Sequence, residues 1–116
     1  MTTWAREIFT EEVNADFFAE ITDLDHDDIL EAIRDAVVLG NSETASNDEF
    51  YIGLAAATVV AIWAGAPYSD ADVIEEYPFI RELIGTSDES LTELALELLE
   101  SAETELDLDF YLEALS

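Results

Sequence analysis

The sequence predicts an all-α protein in which five to six helices pack around one central apolar helix, at about residues 46–65. Three observations support this class. The segment from Phe50 to Ala66 is the only long one without a charged residue. Apolar residues elsewhere recur at helical spacing. Strand-like alternation is limited to the short segment LDLDF.

The central helix has a start signal and a stop signal. The segment Ser46-Asn47-Asp48-Glu49 matches a capping box, in which each end residue accepts from the other's backbone N–H. Gly65 tolerates the left-handed backbone that ends a helix, and Pro67 blocks its continuation. Because apolar residues lie on every side of the helical wheel, we expect neighbouring helices to surround this one.

The central segment also has to be tested as a membrane span. A helix from Phe50 to Gly65 is roughly 24 Å long at 1.5 Å per residue, shorter than a hydrocarbon core of about 30 Å. Acidic residues flank both ends, where Lys and Arg normally set the orientation. We therefore expect a buried helix and no membrane partner. Small residues recur every four positions along this helix, at Gly53, Ala57 and Ala61. This spacing predicts that one neighbouring helix approaches it closely.

The N-terminal arm, Trp4 to Phe9, shows no helical period, and we expect its apolar residues to cover the core. Thr10 is then the predicted N-cap of a first helix, roughly Glu11 to Thr22. A second helix is predicted from the cap at Asp25 to a stop at Gly40.

Further helix signals follow Pro67. Ser69 and Asp72 could cap a short turn, and Pro78 restarts a helix that Gly85 ends. Thr86 and Glu89 form a capping box for the next helix, whose apolar stripe is Leu91, Leu94, Ala95, Leu98 and Leu99. A last short helix is predicted within Leu106 to Leu115.

Length and composition predict a single domain over residues 1–116. Half of the residues are hydrophobic, which excludes a disordered chain. The absence of cysteine from the sequence excludes disulfides and thiolate metal sites. The first residues contain no apolar run resembling a secretory signal, so we expect a cytoplasmic protein.

The charge balance is strongly acidic. The sequence has 29 Asp and Glu against three Arg and no Lys, which gives a net charge of −26. Such a chain repels phosphate backbones and anionic lipids, so we expect no nucleic-acid partner. Two explanations for the acidity remain, a surface for a basic partner or an adaptation of the whole surface to a high-salt cytoplasm.

The densest polar cluster runs from Asp23 to Asp28. Its Asp23, Asp25 and Asp27 match the first three ligand positions of a calcium-binding loop. That loop also needs Gly at its sixth position and Glu at its twelfth, where this chain has Asp28 and Arg34. We therefore predict a solvated acidic turn with no metal, whose Asp25 caps the second helix. The alternative is a weak surface ion site.

Other chemistry-bearing residues form no recognisable active site. His26 is the only histidine, which excludes zinc patterns built on two histidines, and we expect it at the surface. Neighbouring acids are expected by chance in such a chain, so we predict no catalytic residue and no cofactor. The groups considered are Glu75 and Glu76 beside Tyr77, and Glu105, Asp107 and Asp109.

The three arginines are Arg6, Arg34 and Arg81. Local helical ion pairs, such as Glu31 with Arg34, are the expected role. The alternative is that one arginine binds several carboxylates and ties two helices together.

The order of several residues resembles a family of small bacterial helical proteins catalogued as domain of unknown function 4259. The resemblance runs loosely through most of the chain, and the family has no assigned activity. The matching residues are Trp4, Ile8-Phe9, the NADFF of Asn14 to Phe18, Gly53-Leu-Ala-Ala-Ala, Val59, Val60, Ala61 and Gly65-Ala-Pro67.

Charge and the lack of catalytic motifs favour a non-catalytic helical binding protein that docks on a basic partner, as an immunity or inhibitor protein does. One alternative is an enzyme that uses carboxylates or a metal. Another is a protein with a halophile-type acidic surface and an unrelated role.

Overall fold

The computed structural model describes residues 4–66, 75–86, 88–102 and 108–115, with only the backbone of Ala5. Within these ranges the chain is all-helical, which confirms the predicted class. The helices are α1 (Trp4–Thr10), α2 (Glu12–Thr22), α3 (His26–Gly40), α4 (Asn47–Trp63), α5 (Pro78–Glu82), α6 (Glu89–Glu100) and α7 (Asp109–Leu115).

Helix α4 lies at the centre of the described helices. Every residue from 53 to 63 is buried, and each of the other six helices packs against α4. The predicted capping box is confirmed: the Glu49 N–H donates to the Ser46 hydroxyl at 3.1 Å, and the Ser46 N–H donates to the Glu49 carboxylate at 3.0 Å. The predicted stop is also confirmed, because Gly65 has φ +113°.

The closest helix approach is between α3 and α4, at Gly40 and Gly53. A Cβ built on either glycine would lie 2.9 Å from the Cα of the other and 2.9 Å from Cδ2 of Leu98. The predicted close approach at Gly53 is therefore confirmed. Gly40 does end α3, but its φ is not positive, so it does not adopt the left-handed conformation. Its absent side chain instead lets α4 pack against α3.

The N-terminal arm is a helix, so the prediction that it lacks helical structure was wrong. Trp4 and Ile8 are one turn apart on α1 and both are buried, as is Phe9. These residues cover the core as expected. Thr10 is the last residue of α1, where its hydroxyl donates to the Arg6 carbonyl at 2.6 Å, and it does not cap α2.

Two buried polar side chains attach α1 to the rest of the fold. The Trp4 indole N–H donates to the Thr58 hydroxyl at 2.8 Å, and that hydroxyl donates to the Leu54 carbonyl at 2.8 Å. The Asn14 amide donates to the Ile8 carbonyl at 2.6 Å. Because unpaired buried polar groups are costly, these bonds fix the position of α1 on α2 and α4.

Phe18 lies at the centre of an aromatic cluster that joins α1, α2 and α5. Its ring centroid is 5.4 Å from that of Phe9, 5.1 Å from Tyr77 and 5.8 Å from Phe79. Burial in this cluster raises the pKa of the Tyr77 hydroxyl above the usual tyrosine value, and the neighbouring Glu76 carboxylate raises it further.

The later helix signals are confirmed in part. Pro78 is the first residue of α5, and Gly85 has the predicted left-handed backbone, with φ +91°. The predicted turn at Ser69 and Asp72 lies outside the described residues. The stripe predicted for α6 is buried at Leu91, Ala95, Leu98 and Leu99, and α7 packs back through Tyr111 and Leu115.

The predicted capping box before α6 was wrong. Asp88 is the N-cap, and its Oδ1 accepts the Leu91 N–H at 2.8 Å. The Thr86 hydroxyl donates instead to the Leu83 carbonyl at 2.5 Å, within the turn that follows α5. The helix therefore begins two residues later than a Thr86 cap would set it.

Within the described ranges, no helix combines the length and the apolar character needed to span a bilayer.

Candidate functional site

The acidic side chains lie at the surface. Every Asp and Glu in the described ranges is exposed except Glu49, which is half-buried and belongs to the α4 capping box. In the same ranges, no group of three or more His, Asp and Glu side chains is placed to hold a metal ion. Catalytic carboxylates depend on different environments that separate their pKa values. Apart from Glu49, the described carboxylates share one solvent-exposed environment.

Four-residue spacing gives three helices an acidic face each. The α2 acidic face is Glu12, Asp16 and Glu20, the α3 acidic face is Asp27, Glu31 and Asp35, and the α6 acidic face is Glu89, Glu93 and Glu97. Side chains four residues apart are neighbours on a helix, so the carboxylates within each face repel one another. Helix α3 packs against both α2 and α6. The three faces therefore belong to adjacent helices.

Arg34 connects two of these helices. Its guanidinium forms an ion pair with Oδ2 of Asp88, the residue that caps α6. This pair stands in place of the expected local pair with Glu31. The alternative is met in part, because Arg34 joins two helices but pairs with the single carboxylate of Asp88 among the described residues. Arg81 pairs more loosely with Glu75, at 3.8 Å. Both arginines are thus directed at carboxylates of their own chain.

The Asp23 to Asp28 segment is exposed and comprises the turn between α2 and α3 and the first three residues of α3. Asp25 occupies the N-cap position of α3, but its side chain makes no capping hydrogen bond. The expected surface position of His26 is confirmed, and its Nε2 lies 3.1 Å from the Glu82 carboxylate of α5. The separation of 56 residues between these partners explains why the sequence does not reveal this contact.

Of the other acidic groups considered from sequence, Glu75 lines a surface depression together with Pro78, Arg81, Glu82 and Ile84. Glu75 and Glu76 are exposed, beside the buried Tyr77. Asp109 is exposed at the start of α7, while Glu105 and Asp107 lie outside the described residues.

A cleft of about 460 Å³ lies between α1, α4 and the end of α6. Its apolar wall includes Trp4, Ile8 and Leu54, and its polar wall includes Glu7 and Glu11. The described residues that line it contain carboxylates and hydroxyl groups but no histidine or arginine. This lining suits a positively charged group and offers no cation to stabilise a developing negative charge.

A second depression, the α2–α4 groove, has a volume of about 300 Å³. Five of its seven lining residues are apolar and two carry carboxylates. The residues are Phe17 of α2, Ala32, Asp35, Ala36 and Leu39 of α3, and Glu49 and Ile52 of α4. Sequence reasoning missed this groove, because periodicity identifies apolar faces without showing which part of a face stays uncovered. The available signal was Leu39, which follows Val37 and Val38 beyond the regular apolar face of α3.

Fold and surface together define a small helical protein with an acidic exterior and an apolar groove. The chain belongs to the family described as domain of unknown function (DUF4259), whose model matches residues 2–107. The resemblance stated from the sequence is therefore confirmed. No curated protein and no solved structure matches the chain.

Proposed function

We propose that this protein is a non-catalytic binding protein that docks on a basic surface of another protein, as an inhibitor or immunity protein does. The observation that supports this proposal is the arrangement of its carboxylates. Nine of the described carboxylates lie on the outer faces of the adjacent helices α2, α3 and α6, and the chain has three arginines in all.

The few cations leave most of this charge without an internal partner. Arg34 and Arg81 each pair with a carboxylate, and the net charge of −26 already includes all three arginines. A surface of one sign attracts an oppositely charged partner over distances longer than contact and accelerates association. The acidic faces are therefore suited to capture a basic protein quickly.

A cross-linking experiment in the native cell tests the proposal. A photo-crosslinking amino acid at Glu31 places the probe in the middle of the α3 acidic face. We expect one predominant covalent product, with a partner of high isoelectric point. With the purified partner, affinity should fall strongly between about 0.05 M and about 0.5 M NaCl, because the Debye length shortens over that range.

Two charge variants show whether such binding is specific. One replaces the three carboxylates of the α3 acidic face by their amides, and the other does the same on the α6 acidic face. Both remove the same charge, so attraction that depends only on net charge would weaken equally in the two. We expect one variant to lose much more affinity than the other.

Two outcomes would refute the proposal. One is the absence of any basic protein among the cross-linked products. The other is a captured partner whose affinity is unaffected by salt and by both variants. If no partner is captured while salt still stabilises the fold, the acidity is an adaptation to the solvent, as in a halophile.

A further inference from the structure

The α2–α4 groove has an exposed apolar edge next to acidic side chains. Leu39 lines the groove and is 50% exposed, whereas its neighbour Val38 is 48% exposed but lies outside the lining. Phe17 and Ile52 are only half-buried where they line it. An apolar side chain brought into the groove would therefore remove further apolar surface from water.

Carboxylates border this apolar floor. Asp35 and Glu49 are part of the lining, and Asp35 also belongs to the α3 acidic face. On α2, Asp16 directly precedes the lining residue Phe17, and Glu20 follows it by three residues. A molecule bound in the groove would therefore have negatively charged side chains next to the parts of it that extend beyond the apolar lining.

Charge decides between the possible occupants. A second copy of this chain also carries −26 and would be repelled. Anionic lipids and nucleic acids are disfavoured for the same reason. A helix with one apolar side and Lys or Arg beside it can contact the apolar lining of the groove and pair with the carboxylates that border it. Its apolar residues, spaced by three or four, enter grooves between helices in known peptide complexes.

We propose that the α2–α4 groove receives the apolar side of a basic amphipathic helix belonging to the partner. An apolar anchor of that helix contacts Phe17, Leu39 and Ile52, and its Lys or Arg residues face Asp35 and the α2 acidic face. This inference rests on the proposed function and adds the place and the chemistry of recognition.

Synthetic peptides test the groove without knowledge of the natural partner. The probe is a fluorescent helical peptide of Leu, Ala and Lys, with leucines at i, i+3, i+4 and i+7. Its control has the same composition in scrambled order and therefore the same charge without an apolar side. Fluorescence anisotropy at about 0.15 M salt measures both affinities. We expect the amphipathic peptide to bind at least about tenfold more tightly.

Leu39 and Val38 provide a matched pair of variants, since they are adjacent on α3 and similarly exposed. Leu39→Ala should weaken binding of the amphipathic peptide about tenfold, because truncating an anchor contact typically has an effect of this size. Val38→Ala should leave the affinity within about twofold, as expected for a residue outside the contact. Thermal melts of both variants verify that the fold is retained.

A charge variant tests the border of the groove in the same way. Asp35→Asn should weaken binding severalfold at low salt, and this loss should shrink towards about 1 M salt, where the Debye length is about 3 Å. Glu97→Gln removes one carboxylate from α6, away from the groove, and should have a smaller effect.

The outcomes separate the two proposals. Equal binding of the two peptides, or equal effects of Leu39→Ala and Val38→Ala, would overturn the groove assignment and leave the acidic surface as a docking site. Failure of both cationic peptides to bind at about 0.05 M salt would refute the proposed function and the groove together.

Discussion

Replacing Gly53 by alanine should destabilise the protein, although alanine is the better helix former. A Cβ at this position would lie 2.9 Å from Cα of Gly40, 2.9 Å from Cδ2 of Leu98 and 3.1 Å from the carbonyl oxygen of Ala36. The leucine methyl can rotate away. The other two atoms belong to the α3 backbone, so α3 itself has to move by several tenths of an ångström.

The expected magnitude is a difference between two effects. Glycine to alanine inside a helix stabilises by about 1 kcal/mol. Overpacking a filled interior costs about 1–3 kcal/mol, and two backbone contacts place Gly53 at the upper end of that range. The net effect of Gly53→Ala is thus a loss of about 2 kcal/mol. For a domain of this size, such a loss lowers the melting temperature by roughly 10 °C.

Urea titration followed by far-UV circular dichroism measures this loss. Ala19→Gly is the control, because Ala19 is exposed on α2 and reports helix propensity without a packing change. The stability lost in Ala19→Gly equals the propensity that Gly53→Ala gains. Adding it to the stability lost in Gly53→Ala gives the cost of separating α3 from α4. If Gly53→Ala proved about 1 kcal/mol more stable than the original chain, the close contact with Gly40 would be refuted.

Three further predictions follow from the buried contacts and the acidic turn. Trp4→Ala should cost about 3–5 kcal/mol in the same urea titration, and a loss below about 0.5 kcal/mol would mean that α1 does not cover the core. Calcium should bind no more tightly than millimolar by calorimetry, and a micromolar site abolished by Asp25→Asn would contradict the interpretation of that turn. The fold favours the neutral form of Tyr77, so stability should fall as pH rises above about 10 and through the raised pKa of this hydroxyl. Tyr77→Phe should reduce that fall in alkaline melts, and an unchanged fall would assign it to other groups.

Features that depend on local backbone chemistry could be predicted from the sequence. The Ser46–Glu49 capping box and the left-handed Gly65 and Gly85 are examples, because each needs only residues within a few positions. Helix α1 was missed because its seven residues make only two turns, too few for a period to be evident.

Features that depend on distant contacts could not be predicted. Thr86 and Asp88 are both acceptable cap residues, and it is Asp88 that contacts Arg34 of α3. The role of Gly40 depends on Gly53 of another helix. The α2–α4 groove likewise exists only once three helices have packed. No local pattern encodes these arrangements.

We propose that most of the acidic exterior has no internal compensation and is therefore available to a basic partner. The melting temperature across a sodium chloride series, from about 0.01 M to about 1 M, tests this claim directly. The Debye length falls from about 30 Å to about 3 Å over that range, so repulsion between surface carboxylates is largely screened at the upper end. We predict a melting temperature that rises with salt, because screening relieves self-repulsion in the folded state. A flat or falling melting temperature would show that the carboxylates are already neutralised, and would contradict the account.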